Sequence, residues 1–124
     1  MHDPSRVPTI TVIEAHQRLG TSSETTGPLL VDVREPSEIL QARAVGMVTM
    51  PLSTFMLRHR ELPTDRALLM ICRSGSRSAQ AAAFLLANGW TDVENVAGGM
   101  LSWEQSGLSI RRGPLAPGEG DLPG

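Results

Sequence analysis

The segment Cys72-Arg73-Ser74-Gly75-Ser76-Arg77-Ser78 gathers a thiol, two guanidiniums and four small residues, a set suited to nucleophilic chemistry at sulfur. A cysteine attacks only as its thiolate, so its surroundings decide whether it reacts. Arg73 and Arg77 bring fixed positive charge, and the thiol is expected to fall from roughly 8.5 into the range of about 3.5 to 7.5 found for activated cysteines. The loop can curl so that successive backbone N–H groups converge on the sulfur as an anion-binding nest. Gly75 lets the backbone take positive φ and approach a ligand, while Ser74, Ser76 and Ser78 can donate hydroxyls. The two guanidiniums are expected to hold an oxyanion by bidentate hydrogen bonds.

The loop needs a strand before it and a helix after it. Ala67-Leu68-Leu69-Met70-Ile71 is apolar without alternation, as in a parallel strand covered on both faces, and places Cys72 at its carboxyl end. Ser78 to Asn88 is rich in alanine and leucine and predicts a helix closed by Gly89 in the left-handed conformation. Upstream, Thr11-Val12-Ile13-Glu14 has capping-box form and predicts a helix to about Leu19. Leu29 to Val33 predicts a buried strand, Pro36 to Leu40 a helix, Met47 to Met50 a short strand, and Ser53 to Arg60 a further helix. Asp92 to Ala97 predicts one more strand, and Gly98-Gly99 opens a final helix carrying Trp103 and ending near Gly107. The pattern is alternating α/β, with strand ends collected where ligands bind in open parallel sheets.

The remaining composition bounds the reading. A chain of 124 residues suits one domain. A net charge of −2 gives no general attraction to nucleic acid. All eleven cationic side chains are arginine, so lysine chemistry is absent. The single cysteine excludes an internal disulfide and a cysteine-rich zinc site, and no metal or organic cofactor is expected. Neither a signal-peptide core nor a membrane-length apolar run occurs, so a soluble, cytoplasmic protein without membrane partners is expected. After Arg112 the glycine- and proline-rich residues 113–124 read as a flexible tail, and residues 1–8 as an N-terminal arm.

The loop from Cys72 to Ser78 resembles the active-site loop of the rhodanese family, which begins with the catalytic cysteine and runs into a helix. Val31-Asp32-Val33-Arg34-Glu35 with Glu38 upstream, and Gly98-Gly99-Met100-Leu101-Ser102-Trp103 downstream, agree in order and approximate spacing. The resemblance covers about residues 9 to 110, with the domain drawn at 9–112. It implies a five-stranded parallel sheet with helices on both faces. It also implies a sulfurtransferase that takes sulfur from a small anionic donor such as thiosulfate, or from a protein donor, and hands it to a thiol, cyanide or a protein acceptor through a Cys72 persulfide. Ala42-Arg43-Ala44-Val45-Gly46-Met47 departs from the family's usual Gly-His-Ile and Gly-Ala pattern and makes Arg43 a candidate third cation near the entrance.

Plainer readings stand beside these. A lone cysteine is ordinarily core packing, and loop arginines are ordinarily solvated. Asp32 and Arg34 are read as support for the site, capping a turn or pairing with Glu35 or Glu38. Trp90 and Trp103 are assigned to packing, and His16 and His59 to polar helix faces with no role as bases. Three rivals remain open: a cysteine phosphatase or arsenate reductase, a dedicated sulfur carrier, and a catalytically silent interaction module. The phosphatase loop has one more residue between cysteine and arginine, so the shorter cradle here favours a single sulfur over a phosphoryl group.

Overall fold

A computed structural model describes residues 3–123. A short 3-10 turn, Pro4–Arg6, leads into β1 (Thr9–Ile10), α1 (Val12–Thr21), β2 (Leu29–Asp32), α2 (Pro36–Gln41), β3 (Arg43–Ala44), β4 (Val48–Thr49) and α3 (Leu52–Arg58). A second 3-10 turn, His59–Glu61, precedes β5 (Leu68–Ile71), α4 (Ser76–Ala87), β6 (Val93–Val96), α5 (Gly99–Gln105) and β7 (Ile110–Arg111). The α/β expectation is borne out as a five-stranded sheet of order β1-β6-β5-β2-β4 whose neighbours all run parallel.

Strand β5 is central, and all four of its residues are fully buried. Its lack of alternation follows from the layers on each side. Leu68 and Met70 join Val31, Phe55, Ala82 and Leu85 on the face covered by α3 and α4. Leu69 and Ile71 join Leu30, Ile39, Met100 and Trp103 on the face covered by α1 and α5. Chain order reverses between β2 and β5, because β2 leads outward to β4 whereas β5 leads to β6 on the other side. The crevice beyond their carboxyl ends is the topological switch point, where such sheets bind ligands.

The Thr11 cap forms as expected: Thr11 Oγ1 accepts the Glu14 amide at 3.1 Å, and the Glu14 carboxylate accepts the Thr11 amide at 3.3 Å. Gly89 takes φ +106 after α4, as a left-handed closing residue does.

Three local expectations are corrected. The segment expected as a flexible tail follows a defined path through residues 113–123. Arg43 donates to the Gly113 carbonyl at 2.7 Å and to both Glu119 carboxylate oxygens at 2.7 and 3.1 Å. The Gly113 amide reaches the Leu40 carbonyl at 2.8 Å, and the Thr49 amide donates to the Gly120 carbonyl at 2.8 Å. Polar and backbone bonds hold this stretch, with Leu122 packed against the core, which is why its scarcity of apolar residues misleads. Arg43 is thereby 2% exposed and its charge is matched, so it is no entrance cation. His59 is buried, not on a polar face: it stacks on Phe55, meets Phe84 and Trp90, and turns Nδ1 toward the Phe55 and Met56 carbonyls. The antiparallel pair β3–β7 and the strand β1 lie outside the sequence expectations.

Candidate active site

Cys72 follows the last residue of β5 at the switch point and is 1% exposed. Ser78 Oγ lies 3.2 Å from its Sγ, and the Gly75 amide donates to the same sulfur at 3.1 Å. Burial pushes the thiol up; the Ser78 hydroxyl and then the backbone amides of Ser78, Gly75 and Ser74 pull it down and outweigh burial, so its pKa lies below the ordinary cysteine value. Cys72 thus belongs to the apolar cluster under α3 and α4, and its sulfur meets a cup of donors. Gly75 makes the cup possible, because it takes φ +105 as the residue that caps α4.

A second element braces the loop from the side. The Met100 amide donates to the Cys72 carbonyl at 2.8 Å and the Leu101 amide to the Arg73 carbonyl at 3.0 Å. These are orphan N–H groups of the first turn of α5. Contact is so close at Gly99 that a Cβ there would come within 2.4 Å of the Cys72 carbonyl oxygen.

The two loop arginines are not equivalent, contrary to the sequence expectation. Arg77 spends its guanidinium on Glu38 in a two-pronged pair at 2.7 and 2.8 Å. That pair holds the Glu38 carboxyl down at about 2 and raises the Arg77 pKa further. Arg73 is exposed and has no ion-pair partner among the described residues. It lines a cavity of about 250 Å³ together with Arg34, Glu38, Met100, Leu101 and Arg112. Ser74 and Ser76 are exposed, and among the three loop serines only the Ser78 hydroxyl reaches Cys72.

Asp32 and Arg34 form a buried pair with each other, not with Glu35 or Glu38. Asp32 Oδ2 lies 2.7 Å from Arg34 Nη2, and the Arg34 amide donates to Asp32 Oδ1 at 3.0 Å, closing the expected turn. Arg34 also donates to the Ala42 carbonyl at 2.8 Å, tying the end of β2 to the end of α2. Arg34 Nη1 also donates to the Glu38 carbonyl at 3.4 Å, a further tie between the end of β2 and α2.

Asn95 escapes the sequence reading. It lies in β6, buried, with Nδ2 on the Gly75 carbonyl at 3.0 Å and Oδ1 2.6 Å from Ser78 Oγ. The available signal is that β6 alternates, with Glu94 part-exposed and paired to Arg18 while Asn95 faces inward, and buried polar groups carry partners. Trp103 is buried and donates Nε1 to the Ser109 carbonyl, and Trp90 donates to that of Leu62, as packing residues do.

Known proteins share the sequence pattern and the fold. The family model described as a rhodanese-like domain matches residues 11–106. A sulfurtransferase of Allochromatium vinosum is 40% identical over 88 residues, covering 71% of this chain and 82% of its own length. Thiosulfate sulfurtransferase 16, chloroplastic, of Arabidopsis thaliana is 30% identical over 124 residues, covering 90% of this chain and 99% of its own. Three further relatives are longer, and the chain spans 59%, 52% and 50% of them. Among solved structures, a rhodanese-related protein from Thermoplasma volcanium superposes with a TM-score of 0.75 at 26% identity, covering 84% of this chain and 97% of that one.

Proposed function

The chain belongs to the rhodanese-like domain family, and from that premise we propose that it is a thiosulfate sulfurtransferase that carries sulfur as a Cys72 persulfide. The observation that carries the reading is the cup of donors on Sγ, with the Gly75 amide at 3.1 Å and Ser78 Oγ at 3.2 Å. Such donors stabilise an anionic sulfur before any substrate arrives.

The Cys72 thiolate attacks the outer sulfur of thiosulfate. A new S–S bond forms at Cys72, the S–S bond of the donor breaks, and sulfite departs with the electron pair. A nucleophile such as cyanide or a thiol then attacks the outer sulfur, and Cys72 leaves as the thiolate. Arg73 supplies the attraction for the donor's oxyanion, since its guanidinium has no ion-pair partner among the described residues, whereas Arg77 is held by Glu38 and fixes the start of α4. The four residues between Cys72 and Arg77 support sulfur over phosphoryl transfer.

The test is thiocyanate formation from thiosulfate and cyanide beside a phosphatase assay, on the wild type and Cys72→Ser. Thiocyanate formation that falls to background in Cys72→Ser is expected, and activity surviving in that variant overturns the mechanism. Gain of one sulfur atom on Cys72 from a persulfide donor, without thiosulfate turnover, assigns the carrier role instead. Absence of sulfur uptake from either donor assigns a silent module.

A further inference from the structure

Ser78 holds one hydroxyl proton between two acceptors. Its Oγ lies 3.2 Å from Cys72 Sγ and 2.6 Å from Asn95 Oδ1, and a hydroxyl donates to one acceptor at a time. Asn95 is not free to turn over. Its Nδ2 donates to the Gly75 carbonyl at 3.0 Å, so the oxygen is the atom that faces Ser78. Ser78 is fully buried and Asn95 is 6% exposed, which leaves Oδ1 little recourse to water when the hydroxyl turns away.

We propose that Ser78 and Asn95 form a two-position proton switch behind the reactive sulfur, in which Asn95 is a positioning residue that draws the hydroxyl off Cys72 whenever Sγ carries no negative charge. With a neutral thiol, S–H donates to Ser78 Oγ and O–H donates to Asn95 Oδ1. When the thiol proton passes to solvent water, the hydroxyl rotates onto the thiolate and Oδ1 loses its donor. A buried acceptor without a donor is costly, so Asn95 opposes ionisation while Ser78 favours it.

The role in turnover rests on the sulfur-transfer reading above. Attack by the thiolate forms the persulfide and removes the charge from Sγ, so the hydroxyl returns to Asn95. Attack by the acceptor on the outer sulfur restores the electron pair to Sγ, and the hydroxyl swings back. Asn95 therefore favours the loaded state and Ser78 the unloaded one, which keeps either half-reaction from becoming a trap.

The test reads the thiolate directly, without a sulfur donor, as the pH dependence of Cys72 alkylation by iodoacetamide in the full chain. Ser78→Ala is expected to raise the midpoint by about one pH unit, and Asn95→Leu to lower it by about one. The double variant is expected to match Ser78→Ala, because Asn95 acts only through that hydroxyl. In Asn95→Leu the Gly75 carbonyl keeps the Ala79 amide at 3.2 Å; Asn95→Val, better suited to a strand, provides a second reading, with thermal melts checking that each variant folds. A midpoint that rises or stays unchanged in the folded Asn95 variants overturns the switch, as does a double variant that departs from Ser78→Ala. Opposite shifts in a protein that never turns over thiosulfate uphold the switch and overturn only the sulfurtransferase reading.

Discussion

Arg43 and Arg73 show what the same side chain does when its donors are matched and when they are not. The guanidinium of Arg43 makes five hydrogen bonds, to Glu119 twice and to the carbonyls of Ile39, Gly113 and Pro114, which equals the number of N–H donors the group possesses. Arg73 stands exposed in the reactive loop with no ion pair among the described residues. A saturated guanidinium is a structural bolt; an unsaturated one retains capacity for a ligand. Arg77, pinned by Glu38 yet adjacent to the sulfur, lies between these extremes.

The largest effect expected from breaking this contrast is on stability. Arg43→Ala is expected to cost about 3 to 5 kcal/mol, read from urea denaturation, because it leaves four acceptor groups facing a void. Turnover per folded molecule should change little, and a strong loss of kcat/KM in fully folded protein would show that the two regions are coupled. Next, Gly99→Ala, which drives a Cβ into the Cys72 and Arg73 carbonyls, is expected to cost about 2 to 3 kcal/mol and to slow Cys72 alkylation, since the clash displaces the loop that stabilises the thiolate. Arg73→Ala is expected to lower kcat/KM for thiosulfate about tenfold, or about 1.4 kcal/mol, with a smaller loss for an uncharged persulfide donor. Equal losses with both donors would reassign Arg73 to loop structure.

The smallest effect concerns pH. Arg43, and then the Ala116 amide, hold the Glu119 carboxyl at about 2, below its ordinary 4.5. A depressed carboxylate contributes stability above its unfolded pKa and loses it as pH falls through the folded value. The contribution is therefore intact above pH 4.5 and disappears toward pH 2. Glu119→Gln is expected to flatten this acid limb by about 1 kcal/mol, read from denaturation midpoints at pH 5 and pH 3. An unchanged limb would place the acid sensitivity at Glu38, whose carboxyl is also held at about 2.

Strand β5, the loop and α4 were legible because each is announced by neighbouring residues: an apolar run, a glycine at the turn, an alanine-rich helix. The partners of the loop arginines were not, because Glu38 lies 39 positions before Arg77 and only the sheet's reversal brings them together. The course of residues 113–123 was hidden for the same reason, as its anchor, Arg43, stands 76 positions from Glu119. Composition reports what a segment can bury, and says nothing of a distant cation waiting for its carboxylate. Asn95 was the nearer miss, since a polar residue inside β6 already asks what it bonds to.

The hydrogen bond from the Thr49 amide to the Gly120 carbonyl has a consequence for self-association. Thr49 belongs to β4, the outermost strand on its side of the sheet, and such a rim offers its free amides to any passing extended chain. With Gly120 lying against it, closely enough that a side chain at that glycine would strike Thr49 Cγ2, the rim is already occupied. Gly120 thus covers the Thr49 amide at this edge of the sheet. A chain ending at Arg112 would offer that amide to the strand of a second molecule.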